Sequence, residues 1–264
     1  MEDEVELLAF CDSTHIAPRD FIRRLVAPVV DGEDFSTGYH KVVARDAGIV
    51  TMAYALCVQL MRYLQGISSF TQLWGGAMCF RLSAFRRYGV REFWMSNVVD
   101  DCSLADRLIH LGARIRLSGD AVLMTEAREH DLGVWHHWMD RQILFLKFCI
   151  PYQWVLLGVL ACLMLLPVLW AVLAVLGVLL GKLSFGWLLG VLAYAAALAL
   201  VLRGWARFQE SVFPVWRWMV AFCASACMFV WVYLGTILAE GVLWQGIWYE
   251  VGRQGRVIRM RRQK

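Results

Sequence analysis

Apolar positions divide this chain into two parts that meet near residue 150. In the first part, short apolar runs alternate with polar segments. In the second part, three long runs carry no charged side chain, and they cover residues 154–180, 183–202 and 218–239. Each run is close to or above the roughly 20 apolar residues that a helix needs to cross a bilayer. The pattern therefore predicts a globular part followed by a helical membrane region.

Within the first part, the apolar periodicity changes repeatedly between that of strands and that of helices. Strands are predicted over residues 5–11, 38–43, 74–80, 113–117 and 121–125. Helices are predicted over residues 18–26 with Pro28 closing the helix, over 47–66, after a cap at Ser83, and from Asp101 to Gly112. Such an alternation is typical of an α/β layer. The helix over 47–66 is apolar enough either for the core or for a bilayer surface.

Four segments follow from these patterns. Residues 1–133 form the globular α/β part, and residues 134–150 form an amphipathic helix whose tryptophans suit the headgroup layer. Residues 151–240 contain about three transmembrane helices, and residues 241–264 form a basic tail that is expected on the cytoplasmic side. Three full crossings would instead leave the tail opposite the globular part. Either one run is re-entrant or interfacial, or the charge rule fails in this chain.

Composition argues against several functional classes. With 59% hydrophobic residues, the chain is too apolar for an ordinary soluble domain. The net charge of +4 includes an arginine-rich tail, but no nucleic-acid-binding fold accompanies it, so no nucleic acid is expected as a partner. A transporter is disfavoured because the three apolar runs lack charges. Eight cysteines without a CxxC pair indicate buried free thiols in a globular part that faces the cytosol.

Acidic side chains stand at the ends of two predicted elements. Asp12 follows the first strand, where ligands bind in open α/β sheets, and its carboxylate suits a divalent cation. The alternative is that Asp12 only begins a turn. Asp100 and Asp101 precede a helix, and repulsion between the two carboxylates would allow one of them to act as a general base. The alternative for this pair is a plain helix N-cap.

A cationic candidate lies on the helix before the membrane region. The guanidinium of Arg141 can reach a diphosphate leaving group from this helix, with Gln142 beside it. A contact with lipid headgroups is the alternative. His136 and Asp140 are one helical turn apart, but two side chains are too few to ligate a metal ion.

In this order, the motifs resemble the second half of a membrane-bound family 2 glycosyltransferase, most closely the ceramide glucosyltransferases and their bacterial relatives. The likeness covers essentially the whole chain and rests on short motifs: Cys11-Asp12-Ser13 followed by a helix that begins at Pro18, the glycine pair after Trp74, Asp100-Asp101, Arg141-Gln142 before Pro151, and Leu243-Trp244-Gln245-Gly246-Ile247-Trp248-Tyr249 after the membrane region. The family's (Arg/Gln)-x-x-Arg-Trp motif is incomplete. Trp138 stands where the motif has Arg or Gln, and Gln142 stands where it has Trp.

The resemblance implies a GT-A fold, which is Rossmann-like, and an inverting, non-processive transfer from a nucleotide-sugar donor to a lipid hydroxyl. A UDP-sugar is the expected donor and Mg²⁺ or Mn²⁺ the expected cation. By the same resemblance, Asp101 is the base with Asp100 beside it, and Asp12 contacts the cation and donor. Arg141 and Gln142 bind the diphosphate. Trp74, Gly75, Gly76 and Trp138 line the acceptor site, where glycine permits close backbone approach. The expected location is the cytoplasmic face of the bacterial inner membrane.

Relative to the family pattern, the chain begins in the middle of the catalytic domain. The N-terminal anchor, the nucleotide base pocket and an earlier aspartate are missing from it. We therefore expect little transferase activity from this chain alone, unless a second chain supplies the missing half. The competing hypothesis is a non-catalytic multi-pass scaffold, or a subunit that completes the transferase domain of another chain.

Overall fold

The computed structural model describes residues 6–67, 71–209 and 213–262. These residues form a mixed α/β structure with a four-stranded sheet, a smaller three-stranded sheet and nine α-helices. The strands are β1 (Leu7–Cys11), β2 (Phe35–Ala44), β3 (Ala77–Arg81), β4 (Ile115–Ala127), β5 (Gly241–Trp244), β6 (Ile247–Val251) and β7 (Val257–Arg262). The helices are α1 (Phe21–Val30), α2 (Ile49–Gln65), α3 (Leu82–Arg87), α4 (Val90–Trp94), α5 (Cys102–His110), α6 (Leu132–Cys149), α7 (Pro151–Leu179), α8 (Gly186–Phe208) and α9 (Val215–Ile237).

The larger sheet carries the predicted α/β layer and confirms that fold class. Its strand order is β1-β3-β2-β4, with β2 and β4 parallel and the other pairs antiparallel. Almost every side chain of β2 is buried, as expected for a strand that is covered on both faces. Phe21, Leu25 and Val29 of α1 pack on the sheet, while α2 packs against β2 in a separate cluster.

The first helix differs from the prediction, because it runs through Pro28 to Val30 instead of closing at the proline. A proline inside a helix leaves the carbonyl of the residue four positions earlier without its N–H donor. Here that carbonyl belongs to Arg24, and the hydroxyl of Ser118 donates to it across 2.8 Å. A side chain from β4 thus supplies the missing hydrogen bond.

Two further local predictions are wrong. The strands predicted over 113–117 and 121–125 are one strand, β4, which continues past a register shift opposite Gly38. Ser83 does not cap a helix: α3 begins after Arg81 and has no side-chain cap. Backbone pairing explains both corrections, because β2 continues as a template for β4, and the N–H of Leu82 already donates to the carbonyl of Glu6 across 2.8 Å.

The helix α2, which was predicted over residues 47–66, belongs to the core rather than to an exposed bilayer surface. Its residues from Thr51 to Gln59 are all buried, and they pack against α9. The helix α6 shares this core, because Trp135 and Met139 are fully buried in the same cluster. Trp135, one of the tryptophans that were predicted to suit the headgroup layer, is therefore buried in the protein core.

Three helices, α7, α8 and α9, are long and apolar enough to cross a membrane, which matches the three predicted runs. The segment predicted as a basic tail is instead folded into the three-stranded sheet β5-β6-β7. Within β7, the apolar and basic residues alternate from Ile258 to Arg261, which is the pattern of a strand. The high arginine content concealed that periodicity in the sequence.

Candidate active site

The candidate site lies where β1, β3 and α5 meet. Asp12 follows β1, and its N–H donates to the Gly76 carbonyl across 3.1 Å. The N–H of Gly75 donates to Oδ2 of Asp101, also across 3.1 Å. A Cβ added to Gly75 would lie 3.0 Å from Oδ1 of Asp100. The structure thus brings Asp12, the glycine pair and the acidic pair into one cleft, although they are far apart in the chain.

Asp101 is also the N-cap of α5, since its carboxylate accepts a hydrogen bond from the N–H of Cys102. The capping role and a role in the cleft are compatible. Each carboxylate oxygen has two lone pairs, so the backbone bonds from Gly75 and Cys102 leave acceptor capacity on both oxygens. The cap therefore orients the Asp101 carboxylate and leaves it able to accept further hydrogen bonds.

The cleft raises the proton affinity of both carboxyl groups of the pair. Desolvation by the cleft walls, followed by the charges of Asp101 and Asp12, raises the pKa of Asp100 to about 6. Desolvation also raises the pKa of Asp101, although the N–H groups of Gly75 and Cys102 stabilise its ionised form. Raised pKa values of this kind are what a general base near neutral pH requires.

An apolar cavity of about 310 Å³ opens beside Asp101. Tyr39 lines it from β2, and burial and the nearby charge of Asp101 raise the pKa of the Tyr39 hydroxyl. The remaining walls come from the α2 end, from α6 and from the first turns of α7. They include Met61, Leu64, Gln65, Gln142, Phe145, Leu146, Gln153, Leu156, Leu157, Val159, Leu160 and Leu163. The cavity therefore joins a carboxylate to the apolar surface of the first candidate membrane helix.

A row of polar and aromatic rings supports Asp12 from behind. Nε2 of His15 lies 3.4 Å from Oδ2 of Asp12, and Nδ1 of His15 lies 2.8 Å from the Thr125 hydroxyl. Nδ1 of His40 lies 3.0 Å from the same hydroxyl, and burial, reinforced by His15, lowers the pKa of His40 to about 3. One hydroxyl proton serves two rings, so Thr125 must donate to one and accept from the other.

Burial lowers the pKa of His15, and with His15 neutral only one direction of these hydrogen bonds satisfies every group. Neutral His40 donates from Nδ1 to Thr125, and Thr125 donates to Nδ1 of His15. The proton of His15 is then on Nε2, where it faces the Asp12 carboxylate. The indole of Trp74 stacks on His40 with the ring centroids 4.7 Å apart, which holds the rear ring of the chain in place.

The predicted diphosphate and acceptor residues do not all reach the cavity. Among the described residues that line it, Gln142 is present, whereas Arg141, Trp138 and Trp74 are not. Arg141 is half-buried and close enough to Tyr54 to moderate the rise in its pKa, which burial brings to about 12. Trp138 packs edge-on against the same tyrosine at 5.0 Å. These two side chains thus lie one residue layer away from the cavity wall.

The C-terminal sheet holds the loop that carries the acidic pair. The N–H of Val98 donates to the Gly255 carbonyl and the N–H of Val257 donates to the Ser96 carbonyl, both across 2.9 Å. The side-chain amide of Asn97 donates to the Gln254 carbonyl across 2.7 Å. Gly255 adopts a positive φ of 75°, and a Cβ there would lie 2.9 Å from Sγ of Cys149.

The donor set fits a cation shared with a substrate better than a cation held by protein alone. Within the described parts of the chain, no group of three or more His, Cys, Asp and Glu side chains is arranged to hold a metal ion. Asp12 offers one carboxylate that is about half exposed. Mg²⁺ is commonly bound by one or two carboxylates together with substrate phosphates and water, and this arrangement fits Asp12.

The comparison with known families agrees with this geometry. The family model for glycosyl transferase family 21 matches residues 3–257, which is almost the whole chain. The chain belongs to glycosyl transferase family 21. No curated protein gives a significant match to the sequence. Membership in the family makes this chain a glycosyltransferase by descent, and such an enzyme acts on a donor and an acceptor substrate. The resemblance to a glycosyltransferase is therefore confirmed, although the matching family is family 21 and not the family 2 expected from the motifs.

Several residues at the site were missed in the sequence. Tyr39 and His40 lie in β2 and Thr125 lies in β4, in segments whose pattern predicted only strands. The polar residues Ser36, Thr37, His40 and Lys41 of β2 were an available signal. Asn97 and Gly255 carried no such signal, because their contact joins two distant segments.

The raised pKa of Asp100 predicts a stability effect that depends on pH. The folded state binds the Asp100 proton more tightly than the unfolded state, so its stabilising contribution is complete at low pH and is lost as pH rises through about 6. We expect Asp100→Asn to raise the thermal unfolding midpoint at pH 8 relative to wild type, with little gain at pH 4. Asp31→Asn, on an exposed loop, is the control. An equal gain at both pH values would contradict the assignment.

The contact at Gly255 predicts a difference between two glycines that share a φ of 75°. Gly246 has nothing within 4 Å of an added Cβ, whereas Gly255 faces Cys149 and Ser103. Both alanine substitutions cost about 1–2 kcal/mol for the left-handed backbone. We expect Gly255→Ala to lose about 1–3 kcal/mol more because of overpacking, and to increase amide exchange over 96–101. Equal losses of unfolding free energy in the two variants would show that the close packing of Gly255 against Cys149 and Ser103 does not contribute to stability.

Proposed function

We propose that this chain transfers a sugar from a nucleotide-sugar donor to the hydroxyl of a lipid at the cytoplasmic face of a membrane. The observation that supports this most directly is the apolar cavity with Asp101 in its wall. Its walls are shared between the globular part and α7, so an aliphatic chain could enter from the bilayer while its polar end meets the carboxylate. A water-soluble acceptor would gain nothing from these aliphatic walls.

In the proposed reaction, Asp101 is the general base. It removes the proton from the acceptor hydroxyl as the hydroxyl oxygen forms a bond to the anomeric carbon of the sugar. The bond between that carbon and the diphosphate oxygen breaks on the opposite side, so the configuration is inverted and a nucleoside diphosphate leaves. The desolvated cleft that raises the pKa of Asp101 makes it a stronger base than an exposed aspartate.

The other predicted site residues have supporting roles in this proposal. Asp12 contacts the donor and would hold Mg²⁺ or Mn²⁺, which would neutralise charge on the diphosphate. His15, oriented by Thr125 and His40, keeps the Asp12 carboxylate in position. Among the described residues, the half-buried guanidinium of Arg141 has no hydrogen bond or ion pair, and it stays available for the diphosphate together with Gln142. Gly76 leaves room for the Trp74 indole and Gly75 for the Asp100 carboxylate, so the two glycines would let these side chains line the acceptor site.

A GT-A architecture is the fold that we propose for the larger sheet. The Asp12 carboxylate at the end of β1 and the acidic pair at the start of α5 occupy positions typical of a nucleotide-sugar site in such a fold. A UDP-sugar remains the expected donor, and the bacterial inner membrane remains the expected location.

Substitution of the base tests the mechanism. We expect Asp101→Asn to reduce sugar transfer by about 10²–10⁴-fold, because the amide cannot accept the hydroxyl proton. Transfer is measured in membranes from the native host, so that any second chain on which activity depends is present, with a nucleotide sugar and extracted membrane lipids added. Asp106→Asn, on the same helix but paired with His110, is the matched control and should retain activity. Unchanged transfer in Asp101→Asn would remove this mechanism.

Filling the cavity tests the acceptor class without requiring turnover. Leu156 lines the cavity and is 46% exposed, whereas Leu166 lies on the same helix, is 59% exposed and is not among the lining residues. We expect Leu156→Trp to reduce crosslinking of a photoactivatable long-chain alcohol several-fold, while Leu166→Trp leaves it unchanged. Equal crosslinking in both variants would mean that the lipid binds elsewhere.

A further inference from the structure

The first two candidate membrane helices form a hairpin that leaves the globular part and returns to it. α7 begins at Pro151, directly after α6. At the other end of the hairpin, Trp205 and Phe208 in the last turns of α8 contact Tyr63 of α2, with ring centroids 5.5 and 6.4 Å apart. The chain is therefore back beside the globular part before α9 begins.

The third candidate helix lies along the globular part for its whole length. Its buried residues repeat every three or four positions and form one continuous stripe. They are Trp218, Ala221, Ser225, Ala226, Phe229, Val232 and Thr236. The stripe packs against α2 and α6, and α9 also contacts α7 and α8. In the most apolar stretch of each helix, 33% of the residues of α9 are buried inside the structure, compared with 11% for α7 and 6% for α8.

Both ends of α9 are bonded to the same globular part. Near its start, the guanidinium of Arg217 donates to the Ala47 carbonyl across 3.1 Å. At its end, Nζ of Lys147 donates to the carbonyls of Thr236 and Ile237 across 2.7 and 2.9 Å. A helix of 23 residues is about 34 Å long. A perpendicular crossing would carry one end that far from the globular part.

Charged residues lie level with both ends. Arg45 and Asp46 directly precede Ala47, whose carbonyl Arg217 of α9 bonds, and Lys147 lies at the other end of the helix. Charged groups are costly in the hydrocarbon core. The outer face of α9 is apolar and includes Trp216 and Trp231, which are 59% and 71% exposed. Tryptophans of this kind suit the headgroup layer.

We propose that the chain crosses the membrane twice, through α7 and α8, and that α9 lies in the plane of the interface on the globular side. The outer apolar face of α9 contacts the acyl-chain boundary, and its inner stripe is the floor on which α2 and α6 rest. This topology does not depend on the transferase reaction. It removes the conflict between three apolar runs and a basic C-terminal segment, because the arginines of β7 then lie on the globular side.

Single added cysteines can distinguish the two topologies. Arg23→Cys marks the globular part, Ser184→Cys marks the tip between α7 and α8, and Arg261→Cys marks β7; all three positions are exposed. The probe is a membrane-impermeant polyethylene glycol maleimide, applied to intact cells and to disrupted membranes. Each label shifts the band on a gel, so the unsubstituted chain serves as the baseline for its native thiols.

With two crossings, Arg23→Cys and Arg261→Cys react from the same side, and Ser184→Cys reacts from the opposite side. With three crossings, Arg261→Cys reacts from the side of Ser184→Cys, which would overturn the proposal. Reaction of all three from one side would also overturn it, because the hairpin would then not cross. Epitope tags inserted after Gly181 and after Lys264, probed with antibody, test the same two positions without cysteine substitutions and decide the case if a cysteine variant does not accumulate.

Discussion

The packing of α9 against α2 and α6 is the contact on which the rest of the structure depends. Its stripe of buried side chains extends from the first turn of the helix to the last. Lys147 at the end of α6 caps the carbonyls at the end of α9, which brings the start of α7 to the same point. The first turns of α7 therefore become a wall of the cavity beside Asp101. Without this contact, the candidate membrane helices would be attached to the globular part but would not line the cleft.

The cleft holds carboxylates where the surrounding protein disfavours their charge. Desolvation raises the pKa of both Asp100 and Asp101, which makes their ionised forms costly in the folded state. Backbone N–H groups of Gly75 and Cys102 offset part of that cost at Asp101. The offset is available only because a glycine permits β3 to approach α5 closely. A helix cap and a glycine thus maintain an aspartate that is poised to take a proton.

Local patterns predicted those features that depend on neighbours in sequence. The strand that ends before Asp12, the helix that begins after Asp101 and the three apolar runs all appear in the structure. The failures have physical causes at a distance. The helix continues through Pro28 because Ser118 bonds the freed carbonyl, and β4 is continuous because β2 pairs with it on both sides of a register shift. The Thr125 hydroxyl bonds His40 and the Asn97 amide bonds the Gln254 carbonyl, and both partners are distant in the sequence.

By itself, the sequence determined the α/β class, the membrane-associated second part, the family resemblance and the two acidic positions, because each of these follows from periodicity or from short motifs. The tertiary structure alone decided that the acids share a cleft, that Tyr39 and α7 complete it, and that the basic C-terminal segment is a sheet bound to the loop of the acidic pair. It also decided that α9 packs on the globular part. Hydropathy measures how readily a helix leaves water, and it cannot distinguish burial in lipid from burial in protein.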